Sequence, residues 1–487
     1  VNEPNLLGAK IRALRRRERL TQAQMAERLG VSASYLNLIE NNRRPLTAAL
    51  LLKVAEQFKL DLGSFAPADD ARLVADLREV FADPIFEDSG VTRGDLGELA
   101  ASQPAAARAV LQLYRAYRSA RESAETFAEK ISDGAAELIG AASPTEEIND
   151  LLQRRGNYFP EIESAAEALW KKAAIQNDDV YGRLAAWLEE EHGIDVQTEQ
   201  AQEGQPMRRY DPKRRVITLS EVLPPRSRRF QLAHQVGLIE YRDVFDGLGL
   251  EDEVSSPGAR AMIPVVLANY FAAAVLMPYA PFLEAARATR HDIELLAHRY
   301  RTSFEQVCHR LTTLRRPGAE GIPFHFLRID VAGNISKRFS ASGISMPRFS
   351  GACPRWNVHS AFLTPGMIRV QLSRTPDGIT YFCLARTVRR DSGGYNTPHN
   401  VHSICVGCEV RYARQLVYSD GVDLDNLDAA TPVGVTCRTC DQMDCEQRVA
   451  PPVHHPLRID ENVRGLSFYA PVVTPERLIR ADRSEIG

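Results

Sequence analysis

The sequence predicts a multidomain fold, mainly α with α+β parts, and three observations carry that expectation. At 487 residues the chain is longer than one hydrophobic core usually serves. Apolar residues recur at helical spacing over much of the first two-thirds, and strand-like runs take over from about residue 321. The paired cysteines all fall in that strand-rich tail. We divide the chain into residues 1–66, 67–156, 157–320 and 321–487. Apolar content of 44% and charged content of 25% describe a soluble globular protein. The N-terminus shows no basic region followed by an apolar stretch, so no signal peptide is expected. Residues 261–283 hold no charged side chain, but Pro264, Asn269, Pro278 and Pro281 interrupt them. A buried helix is expected there, not a membrane span, and the expected compartment is the cytoplasm.

The first module is basic. Residues 1–60 hold eleven Lys/Arg against five Asp/Glu, although the whole chain carries −3. A basic head on an acidic body implies a polyanionic partner. In "LTQAQMAERLGVSASYLNLIENNRRPLTAALLLKVAEQFKL", Thr21 caps a helix with Met25 and Leu29 inward, and Gly30 ends it. Ser32 caps a second short helix with Leu36 and Ile39 inward, and a helix bearing Leu50, Leu51, Val54, Ala55 and Phe58 closes the core. Two short helices joined at Gly30-Val31 match a helix-turn-helix, whose second helix enters the major groove. Ala33, Ser34, Asn37 and Leu38 then share its outward face. Ser34 and Asn37 suit base edges, and Ala33 or Leu38 a thymine methyl. Gln22, at a helix N-terminus, with Arg43 and Arg44 suits phosphates. The stretch resembles the Cro/cI-type (xenobiotic response element) DNA-binding domains over about residues 6–65. That resemblance implies a five-helix head and a double-stranded DNA operator as partner.

Residues 70–156 are rich in Ala, Arg and Glu. In "PAAARAVLQLYRAYRSARESAETFAEKI", Val110, Leu113, Tyr114 and Tyr117 fall at helical intervals, which suits a packing or dimerising helix. Helix-turn-helix modules usually read paired half-sites, so a homodimer is expected.

The third module contains "MRRYDPKRRVITLSEVLPPRSRRFQLAHQVGLIE", which reads as a β-hairpin over 206–219 followed by a helix with His234. A second helix, "ANYFAAAVLMP", ends at Pro278. A helical His-Glu-x-x-His would place two imidazoles around zinc with the Glu as base. Here Gln235 and Leu238 occupy those positions. The order of elements resembles the ImmA/IrrE-type zinc metallopeptidase domain over about residues 160–310. In that family a Glu three residues before the Ala-Asn pair is the third ligand; Val265 stands there. One ligand of three remains and Gln235 cannot take a proton from water, so no catalytic residue and no enzyme activity are expected. The expectation is an α+β pseudo-zincin-like scaffold whose cleft binds a small molecule.

The tail carries Cys405-x-x-Cys408 and Cys437-x-x-Cys440, with Cys445 five residues on. Two such pairs suit a tetrahedral zinc site or an iron–sulfur cluster, with Cys405 and Cys445 the least secure ligands. Cys308, Cys353 and Cys383 stand alone and read as buried apolar thiols. His454-His455 reads as a surface pair.

Taken together, the head, the degenerate peptidase module and "CRTCDQMDC" resemble the short-chain fatty acyl-CoA regulators of bacteria, over nearly the whole chain. These are transcription factors of propionate (methylcitrate) and acetate (glyoxylate) metabolism. The resemblance implies a [4Fe–4S] cluster in a β-rich tail and an acyl-CoA in the pseudo-peptidase cleft. Arg183, Arg208, Arg209 and Lys213 are candidates for the CoA phosphates, and Tyr270 and Phe271, beside His234, for the acyl wall. The plainer alternative for these residues is helix core and a solvated face.

Overall fold

The computed structural model describes residues 7–451 apart from 59–66, 132–143, 201–205, 348–350, 391–399 and positions 19, 42, 45, 87, 88, 177 and 444. His454 and His455 lie outside the described residues.

The head comprises α1 (Leu7–Arg17), α2 (Gln22–Leu29), α3 (Ala33–Glu40) and α4 (Ala48–Phe58). Local chemistry sets their ends. Thr21 and Gln24 form a reciprocal capping box, Gly30 closes α2 at φ +66°, and the Ser32 side chain accepts the Tyr35 N–H. Ile11, Met25, Leu29, Leu36, Ile39 and Val54 are buried together. Four helices are described within residues 1–66, and residues 59–66, which belong to the expected five-helix head, lie outside the described residues.

A second small core belongs to α5 (Pro67–Val80), α6 (Arg93–Ser102) and α7 (Pro104–Ile131), centred on Leu77, Leu96, Leu111 and Tyr114. Val110 and Tyr117 pack against it, but Leu113 is 72% exposed. The expected stripe is therefore corrected by one residue: Leu111, three before Tyr114, faces inward in place of Leu113.

The third module begins with α8 (Pro144–Arg154), α9 (Pro160–Lys172) and α10 (Val180–His192). Strands β1 (Asp195–Glu199), β2 (Arg208–Asp211) and β3 (Val216–Ser220) follow. β2 and β3 form the expected antiparallel hairpin, and β1 adds to β3 in parallel. Then come α11 (Pro225–Glu240), α12 (Arg242–Asp246) and α13 (Pro257–Leu276). The charge-poor α13 is the central core helix. It runs through Pro264, which the sequence reading took as a break, and ends before Pro278. It is long and apolar enough to cross a membrane, yet two-thirds of it is buried inside the protein.

Three further helices, α14 (Tyr279–Ala288), α15 (Ile293–Arg299) and α16 (Phe304–Thr312), precede the tail. The tail contains β4 (His325–Asp330), β5 (Ile335–Ser340), α17 (Asn357–Ser360), β6 (Arg369–Arg374), β7 (Thr380–Arg390), β8 (Asn400–Glu409) and β9 (Thr431–Pro432). Its six strands are ordered β5-β4-β8-β7-β6-β9. One sheet face, with Phe326, Phe382, Ile404 and Cys408, buries against Phe282, Leu296 and Leu311 of α14–α16. The other, with Leu327, Cys383 and Cys405, buries against Trp356 and Val358. The core thus divides near residue 276, so α14–α16 pack mainly with the tail, touching α13 only near its C-terminal end.

A buried ion pair ties these two cores together. Arg310 of α16 donates to both oxygens of Glu163 on α9, at 2.6 and 2.9 Å, and to the Met277 carbonyl at 2.9 Å. Tyr270 of α13 donates to the same carboxylate at 2.7 Å. The two charged side chains are 0% and 2% exposed. Removing one partner leaves the other charged and dry, which costs about 3–5 kcal/mol. Arg310→Met is expected to lower stability by about that much in urea unfolding, and Arg310→Met/Glu163→Leu by clearly less than the sum of the two single changes.

Candidate functional site

On the head, Ala33, Ser34, Asn37 and Leu38 form one exposed face of α3, opposite buried Leu36 and Ile39. Leu38 is 37% exposed and stands on the face that would meet a thymine methyl. Arg43 and Arg44 follow α3 and are exposed, with Arg44 over the Tyr35 ring at 5.2 Å. Gln22 does more than the sequence suggested: its amide donates to Asn37 Oδ1 at 3.2 Å and to Glu40 Oε2 at 2.8 Å, fixing α2 against α3. Glu40 was missed because it reads as a surface acid. It is buried and takes a two-pronged bond from Arg15, at 2.6 and 2.9 Å. Burial pushes its carboxyl up, but the bonds from Arg15 and Gln22 and the charges of Arg15 and Arg12 outweigh that and hold it below the ordinary range.

In the third module, His234 sits where the first zinc ligand would be, and both sides of its ring are in use. Arg208 of β2 lies 2.7 Å from Nδ1, and the ring also hydrogen-bonds the Val265 backbone. The imidazole is therefore engaged by a guanidinium and a backbone group and not held ready for a metal. Burial and the Arg208 charge push His234 down to about 4, and burial lowers Arg208 to about 10. Val265 is 46% exposed and carries no donor atom in its side chain.

Of the residues expected to line an acyl-CoA cleft, Arg208 and His234 meet, but the others do not join them. Phe271 is wholly buried against Tyr241, Phe245 and the bare Cα of Gly237, where a Cβ would come within 2.9 Å of its ring. Tyr270 is spent on Glu163. Arg183 bonds the Ala173 carbonyl at 3.1 Å. Arg209 alternates to the opposite side of β2 from Arg208, and Lys213 sits in the exposed hairpin turn. The aromatic pair is core because α13 is buried nearly all round, which its weak amphipathicity already hinted. An open groove of about 500 Å³ lies elsewhere, lined by Tyr279, Leu283, Arg287 and Arg316 together with Glu284.

The cysteines are regrouped. Cys405 and Cys408 lie on one strand, β8, three residues apart, so they face opposite sides of the sheet. They cannot form a two-thiolate knuckle, and burial pushes the Cys408 thiol far up within the α14–α16 core. In their place the structure brings up Cys353. Its N–H donates to the Val435 carbonyl at 3.1 Å, beside the loop with Cys437, Cys440 and Cys445. Burial raises the Cys353 thiol, and the nearby Cys437 and Cys440 raise it further; Cys440 is raised by burial and by Cys437 and Cys445. Gly434 makes room, since a Cβ there would lie 2.9 Å from Cys440 Sγ. Arg448 braces the loop by donating to the carbonyls of Cys437, Cys440 and Gln442. Cys353, Cys437, Cys440 and Cys445 thus share one neighbourhood and supply the number of thiolates a four-thiolate group takes, although no three of their sulfurs lie within 4.8 Å of one another. Trp356, three residues after Cys353, keeps a buried indole N–H with no acceptor among the described residues. The alternation of "HSICVGCEV" was the available signal against the Cys405/Cys408 pair; nothing in the spacing of Cys353 marks it as a partner.

This loop is also tied to the head. Asp441, next to Cys440, takes both guanidinium nitrogens of Arg93 at the start of α6. α6 in turn meets α1 through Glu98, 3.4 Å from Arg12.

An exposed helix-turn-helix face on a chain whose peptidase-like scaffold has Gln235, Leu238 and Val265 at the zinc-motif positions defines a DNA-binding transcriptional regulator. Sequence comparison agrees over 95% of the chain. Residues 11–65 match the helix-turn-helix model, 189–312 the IrrE N-terminal-like domain, and 313–469 the short-chain fatty acyl coenzyme A regulator C-terminal model. The chain is 42% identical over 467 residues to the propionyl-CoA carboxylase regulator of Cereibacter sphaeroides, covering 95% of this chain and 98% of that one. It is 38% identical to the HTH-type transcriptional regulators RamB and PrpR of Mycobacterium tuberculosis, covering 95% and 98% for RamB and 93% of each chain for PrpR. A solved Mycobacterium tuberculosis transcriptional regulator superposes with a TM-score of 0.64 at 38% identity, over 67% of this chain and 99% of that one. The chain belongs to the short-chain fatty acyl coenzyme A regulator family.

His234 makes stability pH-dependent. Its folded value of about 4 lies below the ordinary 6.5, so the unfolded chain binds the extra proton first as pH falls. The contribution is full above 6.5 and is lost as pH drops towards 4, on the order of 3 kcal/mol. His234→Gln keeps an acceptor for Arg208 but does not titrate. Urea midpoints at pH 7 and pH 4.5 are expected to differ less in the variant than in the wild type.

Proposed function

We propose that this regulator controls short-chain fatty acid use, the methylcitrate and glyoxylate routes from propionate and acetate, and that it responds to short-chain acyl-CoA and to a [4Fe–4S] cluster. It acts in the cytoplasm as a homodimer on paired operator half-sites, the usual arrangement for this head. The observation that carries the reading is the three-cysteine loop, with Cys353 beside it, bound through Asp441–Arg93 to the helix that touches the DNA-reading head. Full-length similarity to a propionyl-CoA carboxylase regulator supports the metabolic assignment.

Cys353, Cys437, Cys440 and Cys445 would hold the cluster, which supplies one-electron redox chemistry when bound. What this chain adds is position. A change in the loop's shape alters the Asp441–Arg93 contact and, through Glu98 and Arg12, the seating of α1. For the acyl-CoA, the groove by α14 replaces the cleft expected at Tyr270 and Phe271. Arg287, which bonds the Glu320 carbonyl, and Arg316, ion-paired with Glu167, would turn to the phosphates, and Tyr279 and Leu283 offer an apolar wall. Arg316 already stacks on the Tyr279 ring at 4.4 Å, the arrangement a flat, charged ligand exploits.

Three measurements test this reading. Anaerobically purified protein is expected to be brown and to carry about four irons per chain; Cys353→Ser and Cys440→Ser lose them while Cys408→Ser keeps them, and a colourless chain defeats the cluster. Propionyl-CoA or acetyl-CoA is expected to raise the melting temperature, and Arg287→Ala/Arg316→Ala to abolish the rise; no shift with any thioester removes the ligand. On genomic fragments enriched by the protein itself, Asn37→Ala is expected to weaken binding by roughly 5–150-fold, the loss of about 1–3 kcal/mol for one base contact.

A further inference from the structure

One buried cluster plays no part in that reading. His325 of β4, Cys383 of β7 and Cys405 of β8 place their ligand atoms within 4.8 Å of one another, and all three side chains are buried. Their rows explain why. Gly407 is the β8 partner of both His325 and Cys383, so the imidazole and the thiol meet across a residue with no side chain. A Cβ on Gly407 would come within 2.7 Å of the imidazole and 2.6 Å of the Phe382 carbonyl, so the glycine is what lets His325 cross β8. His325 Nδ1 lies 2.9 Å from Ser342 Oγ, which turns Nε2 towards Cys383 Sγ at 3.5 Å.

A fourth donor faces the same point. Asn357, at the start of α17, spends its amide nitrogen on the Arg369 and Cys383 carbonyls, at 3.1 and 3.0 Å. Its Oδ1 is thereby aimed at Cys405 Sγ, 3.8 Å away. Ligands about 2.0–2.3 Å from a tetrahedral ion stand roughly 3.5–3.8 Å apart. The thiol–imidazole and thiol–amide separations already have that spacing.

We propose that His325 Nε2, Cys383 Sγ, Cys405 Sγ and Asn357 Oδ1 form a closed, structural Zn²⁺ site that pins α17 to the centre of the tail sheet. Two thiolates, an imidazole and one oxygen suit a borderline-soft ion of tetrahedral habit, and complete burial leaves no open position for catalysis. The Ser342 contact is the outer partner that such an imidazole needs. The two thiols are poorly placed for a disulfide instead. Cys383 pairs with Gly407 and Cys405 with Ala385, so they are diagonal neighbours, about 7–8 Å apart at Cα, beyond the reach of an unstrained bond. Two thiolates are also too few for an iron–sulfur cube, which takes four.

The test uses the full chain purified without chelator. Metal analysis is expected to find about one zinc per chain, retained when Cys437→Ser/Cys440→Ser disrupts the cysteine loop. His325→Gln and Cys405→Ala are expected to reduce zinc at least tenfold without changing iron. Zinc absorption spectroscopy on the wild type needs no variant to fold, and is expected to report two sulfurs at about 2.3 Å and two lighter atoms at about 2.0–2.2 Å. A chain without zinc after dialysis against Zn²⁺, or zinc with four sulfurs that is lost with Cys437 and Cys440, overturns the proposal.

Discussion

Arg310 has no exposed surface, yet it is a cation. Its guanidinium can stay in the interior only because Glu163, the Met277 carbonyl and the Thr313 hydroxyl surround it. Glu163 comes from α9, Met277 from the end of α13, and Arg310 from α16, so the pair joins the peptidase-like core to the core beneath the tail sheet. Apolar contacts alone would let α14–α16 slide over either neighbour. A bidentate bond in a dry site has one geometry, and it fixes the register between the scaffold and the tail. The same carboxylate claims Tyr270, which is why that ring is unavailable to a ligand.

The scaffold around it keeps the outline of a zinc peptidase while its metal corner is filled from within. Arg208 sits against His234 and Val265 offers only backbone, so the helix pair retains its packing without its chemistry. The metal sites we propose lie instead in the tail, at positions that a sheet and its loops bring together. The cysteine loop is braced by Arg448 and ion-paired to α6, which places it one helix away from the DNA-reading head. Distance along the chain is large and distance through the fold is short.

Much of the head was legible in the sequence because its signals are local. Thr21, Gly30 and Ser32 act within one turn of where they stand, and the outward set of Ala33, Ser34, Asn37 and Leu38 follows from helical spacing alone. Glu40 was not legible, since its partner Arg15 lies on another helix. The hairpin and the His234 helix were likewise readable from alternation and turn residues. The cleft residues were not: whether an arginine or a tyrosine lines a cavity depends on which neighbour reaches it first.

The cysteines mark the boundary most clearly. By itself the sequence determined the order of modules, the reading face of α3, the loss of the peptidase ligands and a thiol-rich tail, because each depends on residue type and short-range period. Only the tertiary structure decided which thiols meet. Strand β8 sends Cys405 and Cys408 to opposite faces, a loop returns Cys353 to Cys437 and Cys440, and Gly407 lets His325 reach Cys383 across a neighbouring strand. Side chains that coordinate together need not be close in the chain, and their convergence is set by strand register and backbone clearance, which no spacing rule encodes.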